Sequence, residues 1–178
     1  MLAKGAKPNL EDIQAMELVR LCVAESLRMY PEPPLLIRRS VEEDVIPAVG
    51  IPSEVKLLRG SDIFIAVYNL HRSPKYWEHP DTFDPTRFTR KFSNPTDAPS
   101  WKGFDPELWK GQLYPNEICS DFAYIPFGGG PRKCVGDQFA MLEATVALAM
   151  VLQRFDFDFS QTGPTPKPSD VGTNTGAT

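Results

Sequence analysis

Apolar residues recur at helical spacing near both ends of the chain and at strand spacing between them. Over residues 9–29, Ile13, Met16, Leu18, Leu21, Val23 and Leu27 fall roughly on one side of a helix. Asn9 followed by Asp12 reads as an N-cap with a carboxylate three residues on, so the pattern predicts one helix, or two in tandem with a break near 14–16. Tyr30-Pro31 ends it, because a residue before proline is pushed out of the helical region. The stiff connector Pro31-Glu32-Pro33-Pro34 then delivers Leu35-Leu36-Ile37-Arg38-Arg39 into a strand. Residues 55–58 and 62–68 are β-rich, and Arg59-Gly60-Ser61 between them predicts a hairpin. Residues 69–74 read as a short helical turn. A second long helix is predicted over 136–154, and its apolar run at 144–152 is far too short to span a bilayer. The expected class is α+β, mainly α-helical with a small β-sheet.

Between 89 and 121 the periodicity vanishes, and Trp101, Phe104, Trp109 and Tyr114 are interleaved with Gly, Asp and Pro. A connection of that length is expected to be functional or partly disordered. The Thr-, Gly- and Pro-rich stretch 160–178 is expected to be a disordered tail, leaving 1–159 as one structured unit.

Composition narrows the classes further. A chain of 178 residues suits one domain with a sizeable core. Its 18 prolines are about twice average usage, which agrees with a turn-rich middle. A net charge of -4 with no Lys/Arg-rich run argues against nucleic acid as a partner. The first seven residues lack the apolar segment of a signal peptide, so any targeting or anchoring segment is expected upstream. Cys22, Cys119 and Cys134 make an odd set without a C-x-x-C pair, which argues against a disulfide framework and a zinc site. His71 and His79 have no metal-ligand spacing to each other or to the cysteines and read as structural.

The candidate chemistry sits in Phe127-Gly128-Gly129-Gly130-Pro131-Arg132-Lys133-Cys134-Val135-Gly136. Three glycines let the backbone bend tightly, and Pro131 stiffens the bend. Cys134 falls just before the first turn of the second long helix, where unpaired N–H groups and the positive dipole end gather. Arg132 and Lys133 add to that positive field, an environment that favours thiolate over thiol.

These residues resemble a known family. Phe127, Gly130, Arg132, Cys134 and Gly136 match at every spacing the haem-binding signature F-x-x-G-x-R-x-C-x-G of the cytochrome P450 haem-thiolate monooxygenases. The resemblance implies that Cys134 is the catalytic and metal-ligating residue, giving its sulfur to the iron of haem b (iron protoporphyrin IX) and favouring O–O cleavage. It implies that Arg132 pairs with a haem propionate, that Phe127 packs near the sulfur, and that Gly128 belongs to the haem-binding turn.

Two more stretches carry the likeness. Glu25-Ser26-Leu27-Arg28 is by itself a surface pair of about 0 to 1 kcal/mol. The residues from Trp77 to Phe88 match W-x-x-P-x-x-F-x-P-x-R-F, with Thr86 where the family often has Glu. Together they imply a buried network of Glu25, Arg28 and Arg87. The family also has an arginine after the proline-rich connector that faces a haem propionate. The offset from Arg28 matches Arg39 best, but Arg38 stands where proline is frequent, which leaves open which arginine turns inward.

The insertion at 89–121, with Asp137-Gln138-Phe139-Ala140, resembles the plastid carotene-hydroxylase branch over most of 8–159. That narrower resemblance implies a chloroplast location, an apolar carotenoid substrate, and a ferredoxin or flavoprotein reductase as electron donor. The family's distal helix, with its acid–alcohol pair, is not among these residues. The chain is therefore expected to be the C-terminal part of the cytochrome P450 fold, inactive alone, with any membrane association coming through the N-terminal part. The expected activity of the whole is insertion of one oxygen atom from O2 into a C–H bond. The alternatives are a non-catalytic haem-binding remnant and an oxygen-independent haem-thiolate isomerase or dehydratase.

Overall fold

The computed structural model describes residues 8–48 and 51–157, so the expected disordered tail at 160–178 lies outside the described residues. Helix α1 (Leu10–Ala15) starts with a reciprocal capping box, in which Asn9 Oδ1 accepts from the Asp12 amide and Asp12 Oδ2 from the Asn9 amide, both at 2.9 Å. The expected break falls at Met16, whose ψ of 52° interrupts the helix before α2 (Glu17–Met29). The buried face of α2 is unusual in carrying Arg20, Glu25 and Arg28 beside Leu21, Ala24 and Met29.

Four short strands follow: β1 (Leu36–Arg39), β2 (Asp44–Ile46), β3 (Val55–Leu57) and β4 (Asp62–Ile65). The predicted hairpin between the third and fourth is not formed. Instead β2 pairs with β3, and β1 pairs antiparallel with β4, Leu36 facing Ile65 and Arg39 facing Asp62. The described residues thus hold two nested two-stranded sheets where one was expected. Arg59-Gly60-Ser61 carries the chain from the inner ribbon to the outer one. Ser40 pins that crossing: its hydroxyl donates to the Leu58 carbonyl at 2.6 Å and accepts from the Ser61 amide at 3.0 Å. The run read as strand over 62–68 stops at Ile65, and α3 (Val67–His71) begins two residues later.

The aperiodic stretch 89–121 is the largest departure from expectation, because it supplies much of the core. Phe104, Trp109 and Cys119 are buried in one cluster with Leu21, Ala24, Trp77, Phe88, Ala123 and Tyr124. Phe92 and Phe104 bridge through their backbones and stack their rings at 5.2 Å. The indole N–H groups of Trp101 and Trp109 reach the Ser120 and Phe88 carbonyls at 2.8 and 3.2 Å. Large rings whose polar edges find carbonyls bury well without any helical or strand period.

Helix α4 (Asp137–Arg154) packs on α2, burying Met141, Thr145 and Ala149 at four-residue spacing. Among the described residues no helix is long and apolar enough to cross a membrane.

Candidate functional site

The chain enters the cysteine loop from a rigid base. The Tyr124 hydroxyl donates to the Ala24 carbonyl of α2 at 2.7 Å, and the Ile125 amide donates to His71 Nε2 at 2.9 Å. Burial above all, with the Arg28 charge nearby, brings His71 down to about 4, so its imidazole is neutral and free to accept at Nε2.

The loop then closes on itself. The Gly128 amide donates to the Ile125 carbonyl at 3.0 Å, Lys133 to Gly130 at 3.1 Å, and Cys134 to Phe127 at 2.9 Å. Gly128 and Gly130 have φ of 74° and 67°, the left-handed region that only glycine enters without strain. Gly136 caps α4, and Cys134 stands exposed just before it.

Cys134 opens into a cleft of about 300 Å³ whose walls include Leu36, Val67, Ile125, Phe127 and Gly128, with Arg38 and Arg132. Strand alternation decides between the two candidate arginines of β1. Leu36 and Arg38 share the face turned to the cleft. Arg39, which the sequence offset favoured, points the other way and pairs with Asp62, Nε to Oδ1 at 2.7 Å and Nη2 to Oδ2 at 2.8 Å. Arg38 replaces it at the cleft. Phe127 contributes twice, since its carbonyl holds the Cys134 amide and its ring meets Tyr114 edge-on at 5.3 Å.

Glu25, Arg28 and Arg87 are brought together. Arg28 grips Glu25 with two bonds, Nε to Oε2 at 2.8 Å and Nη2 to Oε1 at 2.9 Å, and Arg87 Nε reaches Oε1 at 3.0 Å. The remaining donors go to carbonyls: Arg28 Nη1 to His71, Arg87 Nη1 to Glu78 and Arg87 Nη2 to Thr82, at 2.6, 2.9 and 3.0 Å. The Trp77 ring lies under both guanidinium groups, 5.6 and 6.0 Å away. This network ties α2 and α3 to the loop before Phe88, and α3 in turn holds Ile125.

Sequence reasoning missed a second polar cluster, Tyr114, Glu117 and Asp137 around Lys133. Lys133 was expected to add positive field at the sulfur. Its ammonium instead pairs with Glu117 Oε2 at 2.9 Å and Asp137 Oδ2 at 3.1 Å. Burial alone would raise the Asp137 carboxyl, but hydrogen bonds from Tyr114 and Lys133 outweigh it and hold it below the usual range. Burial, then the bond to Asp137, pushes the Tyr114 phenol up. The only local signal was the i, i+4 spacing of Lys133 and Asp137 across Cys134.

The three cysteines differ sharply. Cys119 is buried, donates to the Asn116 carbonyl, and is pushed up to about 12, chiefly by burial. Cys22 is half-buried on α2 and shifted up, first by burial and then by the Glu25 charge. Cys134 alone is exposed. Among the described residues no group of three or more His, Cys, Asp or Glu could hold a metal ion. A larger cavity, about 470 Å³, lies by Gln14, Arg20, Trp109 and Leu113, with no cysteine or histidine in its walls.

The chain belongs to the cytochrome P450 family, whose family model matches residues 1–176. Over 174 residues it is 51% identical to cytochrome P450 97B2, chloroplastic, of Glycine max, covering 97% of this chain and 29% of that protein. It is 43% identical over 155 residues to carotene epsilon-monooxygenase, chloroplastic, of Arabidopsis thaliana, covering 87% of this chain and 24% of that protein. Protein LUTEIN DEFICIENT 5, chloroplastic, of the same plant is 41% identical over 160 residues, covering 90% of this chain and 22% of that protein. The chain thus spans about a quarter of the length of these curated relatives.

Haem b is the cofactor of the family, and the cleft fits it. Apolar walls suit a flat macrocycle, the two guanidinium groups of Arg38 and Arg132 suit two acid groups, and one exposed sulfur stands beside them.

Proposed function

We propose that this chain is the cysteine-presenting part of a chloroplast monooxygenase that inserts one oxygen atom of O2 into a C–H bond of a carotenoid ring. The observation that carries the reading is the exposed Cys134, held by a closed glycine loop in an apolar cleft flanked by Arg38 and Arg132. The relatives support the substrate class and the location, since one is named a carotene epsilon-monooxygenase and all three are named chloroplastic.

Haem bound in the cleft supplies the redox and oxygen-activating chemistry, with electrons from a ferredoxin or a flavoprotein reductase. The residues of this chain bind and orient it. Cys134 presents its sulfur, and the Phe127 carbonyl fixes the Cys134 backbone. Arg38 and Arg132 would hold the acid groups of the cofactor. Leu36, Val67, Ile125 and Phe127 would keep water from its apolar face.

Proton delivery needs more than these walls offer. Among the described residues, Glu32 is the sole carboxylate lining the cleft, and no hydroxyl side chain lines it. The chain alone is therefore assigned no hydroxylase activity, which belongs to the longer enzyme of which it is a part. The same observation favours the competing reading of a non-catalytic haem binder.

Incubating the longer enzyme and the 178-residue chain separately with haem, an electron donor and a carotene tests both readings. Hydroxylated carotene is expected from the longer enzyme only. Product from the chain alone would overturn the division of labour, and a haem-loaded longer enzyme that hydroxylates no carotene would favour the non-catalytic reading.

A further inference from the structure

The cysteine loop is gripped at three points by a segment that lines no part of the cleft. Lys133 immediately precedes Cys134, and Asp137 follows it by three residues. Both side chains run into one polar cluster, where Lys133 Nζ lies 2.9 Å from Glu117 Oε2 and 3.1 Å from Asp137 Oδ2. The Tyr114 hydroxyl donates to the same Asp137 Oδ2 at 2.6 Å, and the Lys133 ammonium stands 5.6 Å over the Tyr114 ring. The third point is Phe127, whose ring meets Tyr114 and whose carbonyl accepts the Cys134 amide. Tyr114 is 1% exposed, and the Glu117 and Asp137 side chains are 10% and 12% exposed, so these charged bonds form where water competes little.

The arrangement exceeds what capping α4 requires. Asp137 Oδ1 already accepts the Gln138 amide at 2.7 Å, which serves the first turn of the helix. Its other oxygen takes Tyr114 and Lys133 together, and Lys133 then reaches on to Glu117. Residues on both sides of the sulfur are thereby fastened to one wall.

We propose that Tyr114 and Glu117 are positioning residues that clamp the cysteine loop through Lys133, Asp137 and Phe127, so that Cys134 is held ready to ligate iron. The ligating role rests on the function proposed above, whereas the clamp is a property of the chain itself.

Amide hydrogen exchange in the 178-residue chain, without haem, reads the clamp directly. Tyr114→Phe keeps the ring and removes the donor, and it should speed exchange of the Lys133 and Cys134 amides about tenfold, the size of one charge-assisted hydrogen bond. Lys133→Met should do the same and Lys133→Arg should restore protection, while the Tyr124 and Thr145 amides stay protected in all three and report that the fold survives. In haem-loaded protein, Tyr114→Phe should at least halve the red-shifted Soret band of the reduced carbon monoxide complex. Loop exchange unchanged in both Tyr114→Phe and Lys133→Met, or an undiminished Soret band in Tyr114→Phe, overturns the proposal. A haem-loaded wild-type chain without the red-shifted band, but with a loop that loosens in the variants, would instead sink the haem-thiolate reading and leave the clamp standing.

Discussion

Two pairs of arginines stand in opposite surroundings, and the contrast separates what holds this molecule together from what it offers to a ligand. Arg28 and Arg87 have side-chain exposures of 0% and 5%, share Glu25, and direct their other donors to carbonyls above the Trp77 ring. Arg38 and Arg132 line an open apolar cleft and form no ion pair with any described residue. A buried guanidinium is tolerable only when its charge and donors are matched. The first pair is matched inside the chain. The second has no carboxylate partner among the described residues and stands in the cleft beside an exposed sulfur.

The largest effect should come from breaking the matched pair. Glu25→Ala leaves two buried cations without their carboxylate and should cost roughly 3 to 5 kcal/mol in denaturant unfolding followed by tryptophan fluorescence. A double-mutant cycle between Glu25→Ala and Arg87→Ala should return a coupling of about 0.5 to 3 kcal/mol. Strict additivity would mean that the two groups act independently.

The pH dependence should locate the next effect at His71, which joins the buried network to the cysteine loop through the Arg28 and Ile125 bonds. Its folded value of about 4 lies below the ordinary 6.5, chiefly through burial. Between these values the unfolded chain takes up a proton that the folded chain refuses, so the stability is fully present above pH 6.5 and is lost as pH falls towards 4. The loss should be on the order of 3 kcal/mol. Urea unfolding at pH 7 and pH 4.5 measures it. The pH slope should flatten in His71→Asn, and an unchanged slope would place the titration elsewhere.

A smaller effect sharpens the other side of the contrast. Arg38→Ala should weaken haem retention about tenfold, as expected for one lost charge-assisted bond. Arg39→Ala should leave retention unaltered, because its partner is Asp62 on the solvent side. Equal losses in the two variants, measured by haem transfer to an acceptor protein, would erase the distinction between the faces of β1.

The parts of this architecture that were legible in the sequence share a property: each is set by residues close together in the chain. The break at Met16, the capping box of Asn9 and Asp12, and the start of α4 after Gly136 are local events. Glu25 and Arg28 occupy adjacent helical turns, and Cys134 sits at short fixed offsets from Gly130 and Gly136. What escaped depends on distant pairing. Arg59-Gly60-Ser61 looks the same whether it turns a hairpin or links two nested ribbons, and only the partnering of β1 with β4 tells them apart. That ladder also decides the facing of Arg38 and Arg39, since a one-residue shift of register would exchange them. The aromatic residues at 89–121 carry no period because each fills its own gap in the core. Tyr114 and Glu117 therefore gave no sign that they would meet Lys133 and Asp137 some 20 residues on.

Cys134 is proposed as the only iron-ligating side chain among the described residues, and one spectrum tests that role. In haem-loaded protein reduced under carbon monoxide, Cys22→Ser and Cys119→Ser should retain the strongly red-shifted Soret band, and Cys134→Ser should lose it. A red-shifted band that survives in Cys134→Ser would contradict the account.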